Sequence, residues 1–570
     1  AYVVEMRALD PLHDEYIFTL SDRATGKSAV FELVDRLGAA TRKKLGVAGG
    51  AAGAPPPRVA SITTTSPRAW DLLSQAYQAI DKGEYGRLKS LVDEALNEDP
   101  EFALAHVMAA ELAVDRDKGT PEQEAEARTH LDAAERLADR LPEKERQVLR
   151  ALRAEVDGDW NEARRVRVEL AEAYPLDKVA LYQAGDILIR TGHPDLAIGY
   201  LERAVALDPS SAPVADTFVD AVVDSGQAGR HVATLRRLAS AGTRPAVVAR
   251  GLLAAGQEQE ALDAYQEAIR RRVAAGKGEW PNWHYVLFLA SKERDAEAEA
   301  LMRSDLERNR DAWKPGSGAH RVASTNLSFS LARQGRAVEA LRVISEGGSV
   351  EPPTMSKAYL SDFLRQHIYS TVGLADEVQA RAENMLRYPD ATSPENALVG
   401  ISILAETGRL LEASRLAADA RQRLGARWEA SREGGRGGGP VGSSQRSIDV
   451  MAALGRGDDA SAERMLQSME SDPLAFLRAS AHLIRGELAR ERGDCATAVR
   501  HFEILRNAGP EFCERRPFLL HAMAGCYENL GDLPKARERN DAFLRLWANA
   551  DPDLPWLIEA KARQARLAVK

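Results

Sequence analysis

Apolar residues along most of this chain recur at every third or fourth position. That period lays one stripe along a helix, and the stripes come in short pairs separated by glycine. Lys178–Pro209, KVALYQAGDILIRTGHPDLAIGYLERAVALDP, is the cleanest example: a helix, a turn at Gly192, then a second helix. The N-terminal segment breaks the pattern. Ala1–Leu9 (AYVVEMRAL) and Glu15–Ser21 (EYIFTLS) are rich in β-formers and flank the turn-like DPLHD. Ser28–Leu45 is then amphipathic, with Phe31, Val34, Leu37 and Leu45 on one face. Strand, strand, helix is the tail of an α/β unit, too small for a complete domain.

The glycines of the helical region are in phase with alanines. Gly158/Ala163, Gly192/Ala197, Gly256/Ala261, Gly335/Ala340, Gly408/Ala413, Gly457/Ala462, Gly493/Ala498 and Gly531/Ala536 are all five apart. Gly83, Gly226 and Gly373 share the phase with a larger residue five places on. Neighbouring pairs recur at about 34 residues. The glycine ends a first helix in the left-handed conformation that other residues adopt at a cost. The alanine sits where the second helix crosses the first and only a small side chain fits.

Lys178–Pro209 resembles the tetratricopeptide repeat at Gly185, Ala197, Ala204 and Pro209, with Leu201 in the large-residue slot. Further matches are Arg68–Pro100, Pro142–Pro175, Pro245–Arg272, Ser317–Ser345, Thr354–Pro389, Glu395–Leu424, Ala479–Pro510 and Phe518–Pro552. Fainter ones cover 102–141, 212–241, 283–310 and 446–473. The resemblance implies an all-α solenoid, a right-handed superhelix of about a dozen helix-turn-helix units from residue 66 onward, capped by a helix near Trp556–Val569. Each unit is then expected to touch only its neighbours. Gly46–Pro57 (GVAGGAAGAPPP) reads as a linker within 46–65, dividing the strand-strand-helix remnant at 1–45 from the array at 66–430. Glu433–Ser444 (EGGRGGGPVGSS), within 431–445, reads as a Gly-rich loop and a seam before the last repeats at 446–570.

The N-terminal phrases MRALDP and SDRATGKSAVFELVDRLGAATRKKLG, and VASITTTSPRAWDLLSQAYQAIDKGEY at the first repeat, carry a second resemblance. They are similar to the extracytoplasmic α/β-plus-repeat region of bacterial receptor-like serine/threonine kinases and related regulators. That resemblance implies an extracytoplasmic place in a larger bacterial polypeptide. Beginning at Ala1 within a strand, the chain reads as a fragment or a processed product.

Composition narrows the partners. The net charge of −9, with basic and acidic residues mixed along helix faces, gives no reason to expect nucleic acid. No apolar run approaches the ~20 residues that span a membrane. Thr25-Gly26-Lys27-Ser28 looks like the end of a phosphate-binding loop, but Ser21 stands where the opening glycine belongs, so a plain turn is expected. The histidines are scattered without metal-ligand spacing, and no metal or cofactor is expected. His193-Pro194-Asp195 falls at an inter-helix turn with proline in the first turn of the second helix. Asp458/Asp459 and Asp551/Asp553 read as helix caps. Of Cys495, Cys513 and Cys526, the first and last fall at helix ends that antiparallel packing brings together, either as a Cys495–Cys526 disulfide or as buried free thiols.

An array of this kind is a surface for a protein or peptide rather than a reaction vessel, and no catalytic residue is expected. Aligning units on their turn glycines puts Tyr182, Asp186 and Arg190 in the groove-facing slots of one unit. The same slots give Asn326 (beside Thr325), Phe329 and Arg333 in another, and Phe363 and His367 in the next. The Lys/Asn/Arg clamp with which some tetratricopeptide proteins hold C-terminal carboxylates is missing there. Trp280, Trp283 and Tyr285 form the densest aromatic cluster, an anchor patch or rings packed between units. Self-assembly through the repeats and the N-terminal strands is the alternative to a binding scaffold.

Overall fold

A computed structural model describes residues 2–10, 15–26, 29–46, 64–82, 84–113, 121–276, 283–311, 313, 318–346, 365, 367–385, 401, 403–405, 407–424, 440–506 and 515–569. The N-terminal segment forms strand, strand, helix, in the expected order. Strand β1 (Tyr2–Asp10) pairs antiparallel with β2 (Glu15–Ala24), with Met6 opposite Leu20 and an irregularity between Ala8 and Leu9. Helix α1 (Val30–Lys44) buries Leu33 and Leu37 against Val4, Met6, Leu20 and Ala24. The apolar face therefore differs from the expected one: Val34 and Leu45 point to solvent. Arg36, held at 2.7 Å by Asp22, and Thr41, bonded to Met6 Sδ at 3.0 Å, fix the rotation of α1 that turns Leu33 inward. Gly26 makes the strand-to-helix turn with φ +94°, while Lys27, Ser28 and the Phe31 side chain lie outside the described residues.

Contacts divide the chain into two units, Ala1–Ile187 with Ser211–Pro213, and Leu188–Ser210 with Val214–Lys570. Beyond the remnant both are built of antiparallel helical pairs. In the first unit Pro67–Lys82 packs on Leu88–Glu98, Ala103–Ala113 on Pro121–Arg136, and Glu143–Asp157 on Trp160–Ala173. In the second the pairs include Pro245–Ala254 with Glu258–Ala274, Gly318–Arg333 with Ala337–Glu346, Ala475–Glu491 with Cys495–Arg506, and Arg516–Asn529 with Leu533–Leu546. Pro555–Val569 closes the chain against Leu533–Leu546.

The glycine–alanine rule holds in the structure. At Gly192, φ is +83°; its N–H reaches Ile189 O at 2.9 Å and the next N–H, of His193, reaches Leu188 O at 2.8 Å. Two orphan carbonyls at the helix C-terminus are thereby satisfied. Every alanine of the eight pairs is buried, none more than 1% exposed. Glu293 makes the same turn with φ +61°, five residues before the fully buried Ala298, so the motif tolerates a glutamate that a search for glycine misses. Pro194 starts its helix behind His193, and Asp458 caps Ser461 N at 3.0 Å, as the turn readings require.

Two expectations need correction. Pro440–Gly455 is helical and packs along Leu410–Leu424, so the last part of the Gly-rich stretch is helix and the seam does not extend to 445. The close fit is built by Gly455, where a Cβ would lie 2.0 Å from the Ser414 carbonyl oxygen. The remaining residues of that stretch, 433–439, lie outside the described residues.

The second correction is larger. Within the second unit the repeats do not touch neighbours alone, because the segment from Ala475 onward lies along the turns of earlier pairs. Arg478 donates to Ser225 O at 3.2 Å, Arg516 to Ala290 O at 2.9 Å, and Arg490 to Gly408 O at 2.6 Å. The Trp547 indole N–H reaches Arg333 O at 3.1 Å, and Trp556 fills the space beside Gly373. Helix N-termini in the same turns receive anions. The Glu491 carboxylate accepts from Leu410 N at 2.6 Å and Leu411 N at 3.0 Å, and Asp551 accepts from Val338 N at 2.9 Å. Each turn exposes the carbonyl end of one helix dipole and the amide end of the next, and at the Gly408 turn the C-terminal segment supplies the opposite charge to both, Arg490 to the carbonyl and Glu491 to the amides. Local repeat periodicity carries no signal for such contacts.

Candidate functional site

The first-helix slots singled out by alignment have different fates. Tyr182, Asp186 and Arg190 stand four apart on Lys178–Arg190 and are half-buried. Tyr182 and Asp186 belong to the first unit; Asn326, Phe329, Arg333 and His367 belong to the second. Phe329 and His367 come together from successive first helices, with ring centroids 5.5 Å apart and tilted by 49°. Asn326 is half-buried one turn before Phe329. Phe363 lies outside the described residues.

Arg333 corrects the alignment. It is 1% exposed, donates from Nε to Asp295 Oδ1 at 2.8 Å, and also bonds Ser330 Oγ at 3.3 Å. A guanidinium bound this way and shut from water holds two helical pairs together and is not presented to a partner. Pattern alignment fixes the slot but not what fills the space in front of it, here Trp547 and its neighbours.

The aromatic cluster is core where it is described. Tyr285 is buried with its ring centroid 4.7 Å from that of Tyr265, and Trp283 packs half-buried on Leu287 and Ala290. Packing between helices is therefore the correct reading for these two rings, and Trp280 lies outside the described residues. Cys495 and Cys526 are adjacent in one buried cluster, but both are free thiols, so the disulfide alternative is corrected. Burial and the neighbouring Cys495 push the Cys526 thiol well above its usual range, which keeps it protonated and unreactive. Cys513 is outside the described residues.

Two groupings were invisible in the sequence. In the first unit Arg167 donates to Glu155 at 3.2 Å, and Gln183 carries the chain of bonds on to Glu111 at 2.8 Å. Desolvation holds the Glu111 carboxyl above its usual range, opposed by Arg167. The second grouping brings together histidines that read as scattered: Glu470, His482 and His501 converge from three helices. No spacing rule finds them, since 12 and 19 residues separate the members across two turns.

A tetratricopeptide repeat model matches residues 179–211, the segment from which the pattern was first read. Among solved structures the chain is similar to the APC/C hetero-tetramer Cut9–Hcn1, at 14% identity over 88% of this chain and 94% of that one, with a TM-score of 0.33. It is also similar to human IFIT1 with m7Gppp-AAAA (13% identity, 82% and 90% covered, TM-score 0.27) and to yeast Tom70 (9%, 74% and 94%, 0.25). No curated protein matches the chain. The fold is predominantly helical, an array of antiparallel helical pairs of which one matches the tetratricopeptide repeat model, preceded by a small two-stranded sheet. No helix among the described residues is long and apolar enough to cross a membrane.

Proposed function

We propose that this chain is a non-catalytic interaction scaffold that holds a peptide or partner protein along its first-helix faces. One observation carries the reading: Phe329 and His367, from successive first helices, pair as half-buried rings 5.5 Å apart, with Asn326 one turn away. Aromatic rings in register along a helical array suit an extended peptide or an amphipathic helix, with Asn326 supplying a hydrogen bond to its backbone. Tyr182 and Asp186, in the first unit, form a second set on one helix face. The test is selection of a displayed peptide library on the full chain, followed by fluorescence anisotropy. Phe329→Ala and His367→Ala should each weaken the selected peptide at least about tenfold while thermal unfolding stays nearly unchanged. Binding that survives both substitutions moves the site elsewhere.

Self-assembly is the second reading, supported by the β1–β2 ribbon, which pairs with no other strand among the described residues. Light scattering on the full chain and on residues 22–570 separates the two. Loss of a higher-order species on deletion, with helical content retained, supports strand exchange; a monomer in both cases removes it. The extracytoplasmic setting in a larger bacterial protein rests on the N-terminal phrases quoted above and belongs to this proposal.

A further inference from the structure

The second unit holds a group of side chains with metal-binding chemistry. His482, on Ala475–Glu491, and His501, on Cys495–Arg506, face each other with Nδ1 atoms 2.9 Å apart and ring centroids separated by 5.2 Å. Glu470, at the end of Asp459–Glu470, brings Oε1 to 3.9 Å from His482 Nδ1. All three ligand atoms lie within 4.8 Å of one another. We propose that Glu470, His482 and His501 form a site for a divalent transition-metal ion of the zinc class.

The chemistry of the donors supports this. Two imidazoles and one carboxylate are a borderline-soft set that zinc accepts with one position left for water. With zinc–nitrogen bonds of about 2.0–2.1 Å, nitrogens 2.9 Å apart subtend an angle of about 90° at a shared ion. Opening them toward the tetrahedral separation takes a few tenths of an ångström, within the play of two half-buried rings. Glu470 is ion-paired with Arg485, whose Nε lies 2.6 Å from Oε1, while Arg485 also holds Glu463 at 2.8 Å. Arg485 and the two carboxylates together carry one net negative charge, which a dication reverses without leaving a large excess. A carboxylate held by an outer partner is how protein metal sites fix their ligands. Arg500, near His501, is the other cation beside the site.

The molecule supplies its own control. His106 and His130, in the first unit, also approach with Nδ1 atoms 3.0 Å apart, but no carboxylate completes a ligand set there among the described residues. His106 Nε2 is 3.0 Å from Pro100 O, which fixes the proton on Nε2 and leaves Nδ1 to accept a hydrogen bond from His130. That pair is explained by a shared proton alone.

Titration of the chelator-stripped full chain with zinc chloride in a calorimeter should give one site per chain, with a Kd below about 1 μM. Co2+ in its place should produce visible absorption bands of a four- or five-coordinate nitrogen/oxygen site. His482→Ala and His501→Ala should each weaken binding by about 100-fold or more, Glu470→Gln by about 10- to 100-fold, and His130→Ala not at all. Absence of both the zinc stoichiometry and the cobalt bands in the unaltered chain overturns the proposal without recourse to any variant. Binding retained in His482→Ala, or lost equally in His130→Ala, overturns the assignment to these residues. Far-ultraviolet circular dichroism of each variant keeps a folding defect from passing as lost ligation.

Discussion

Replacing Trp547 with alanine separates a solenoid of neighbours from the back-packed array seen here. Trp547 is 1% exposed, packs tilted with its centroid 4.5 Å from that of Phe543, and donates its indole N–H to Arg333 O at 3.1 Å. It also lies against the Gly335 turn, where an added Cβ would come within 2.9 Å of the ring. Truncating a buried tryptophan removes transfer energy and leaves a cavity, about 3–5 kcal/mol together. The stranded Arg333 carbonyl adds about 1 kcal/mol or more. An array of this length does not unfold in one step, so the readout is local: hydrogen exchange by mass spectrometry, peptide by peptide. At about 1.4 kcal/mol per factor of ten, the summed loss of about 4–6 kcal/mol should lower protection roughly 700- to 20,000-fold in Leu533–Val569. The same order of loss should appear in Gly318–Glu346, some two hundred residues away along the chain. Pro67–Glu98, in the other unit, should not change. Trp547→Phe keeps most of the packing and loses only the hydrogen bond, so its effect should be about 1–2 kcal/mol. A loss confined to Arg516–Val569 with Gly318–Glu346 untouched would refute the cross-chain contact.

Gly455→Ala should destabilise the Leu410–Leu424/Pro440–Gly455 pair by about 2–3 kcal/mol, although alanine is the better helix former by about 1 kcal/mol, because the methyl meets the Ser414 backbone; a raised melting temperature would contradict the close crossing. Burial pushes the Glu487 carboxyl up to about 7, so the folded chain holds its proton more tightly than the unfolded chain does. That contribution is complete below pH 4.5 and is lost as pH rises through 7. Relative to Glu487→Gln, the unaltered chain should therefore lose on the order of a few kcal/mol between pH 4.5 and 8, read from melting temperatures of both; parallel pH profiles would refute it. Cys495 and Cys526 should both alkylate in denaturant without reductant and react slowly when native; a blocked pair by mass spectrometry would restore the disulfide.

What the sequence by itself determined is everything that depends on short range. The glycine at φ > 0, the alanine five residues on and the capping aspartate act within one turn and its two helices. Reading them gave the class, turn positions and buried small residues, and among the described residues only Glu293 hid a turn behind an unexpected side chain. Strand, strand and helix at the N-terminus were legible for the same reason, though the rotation of α1 needed Arg36 and Thr41 bonded to the ribbon. What only the tertiary structure decided is which residues distant in sequence share a place. Arg333 reads as a groove residue from its slot and is core because Asp295 and Trp547 arrive from elsewhere. Glu470, His482 and His501 read as scattered and converge because three successive helices pack side by side. Periodicity constrains a residue's face on its own helix, and the partner that meets that face is set by the free energy of packing the whole unit.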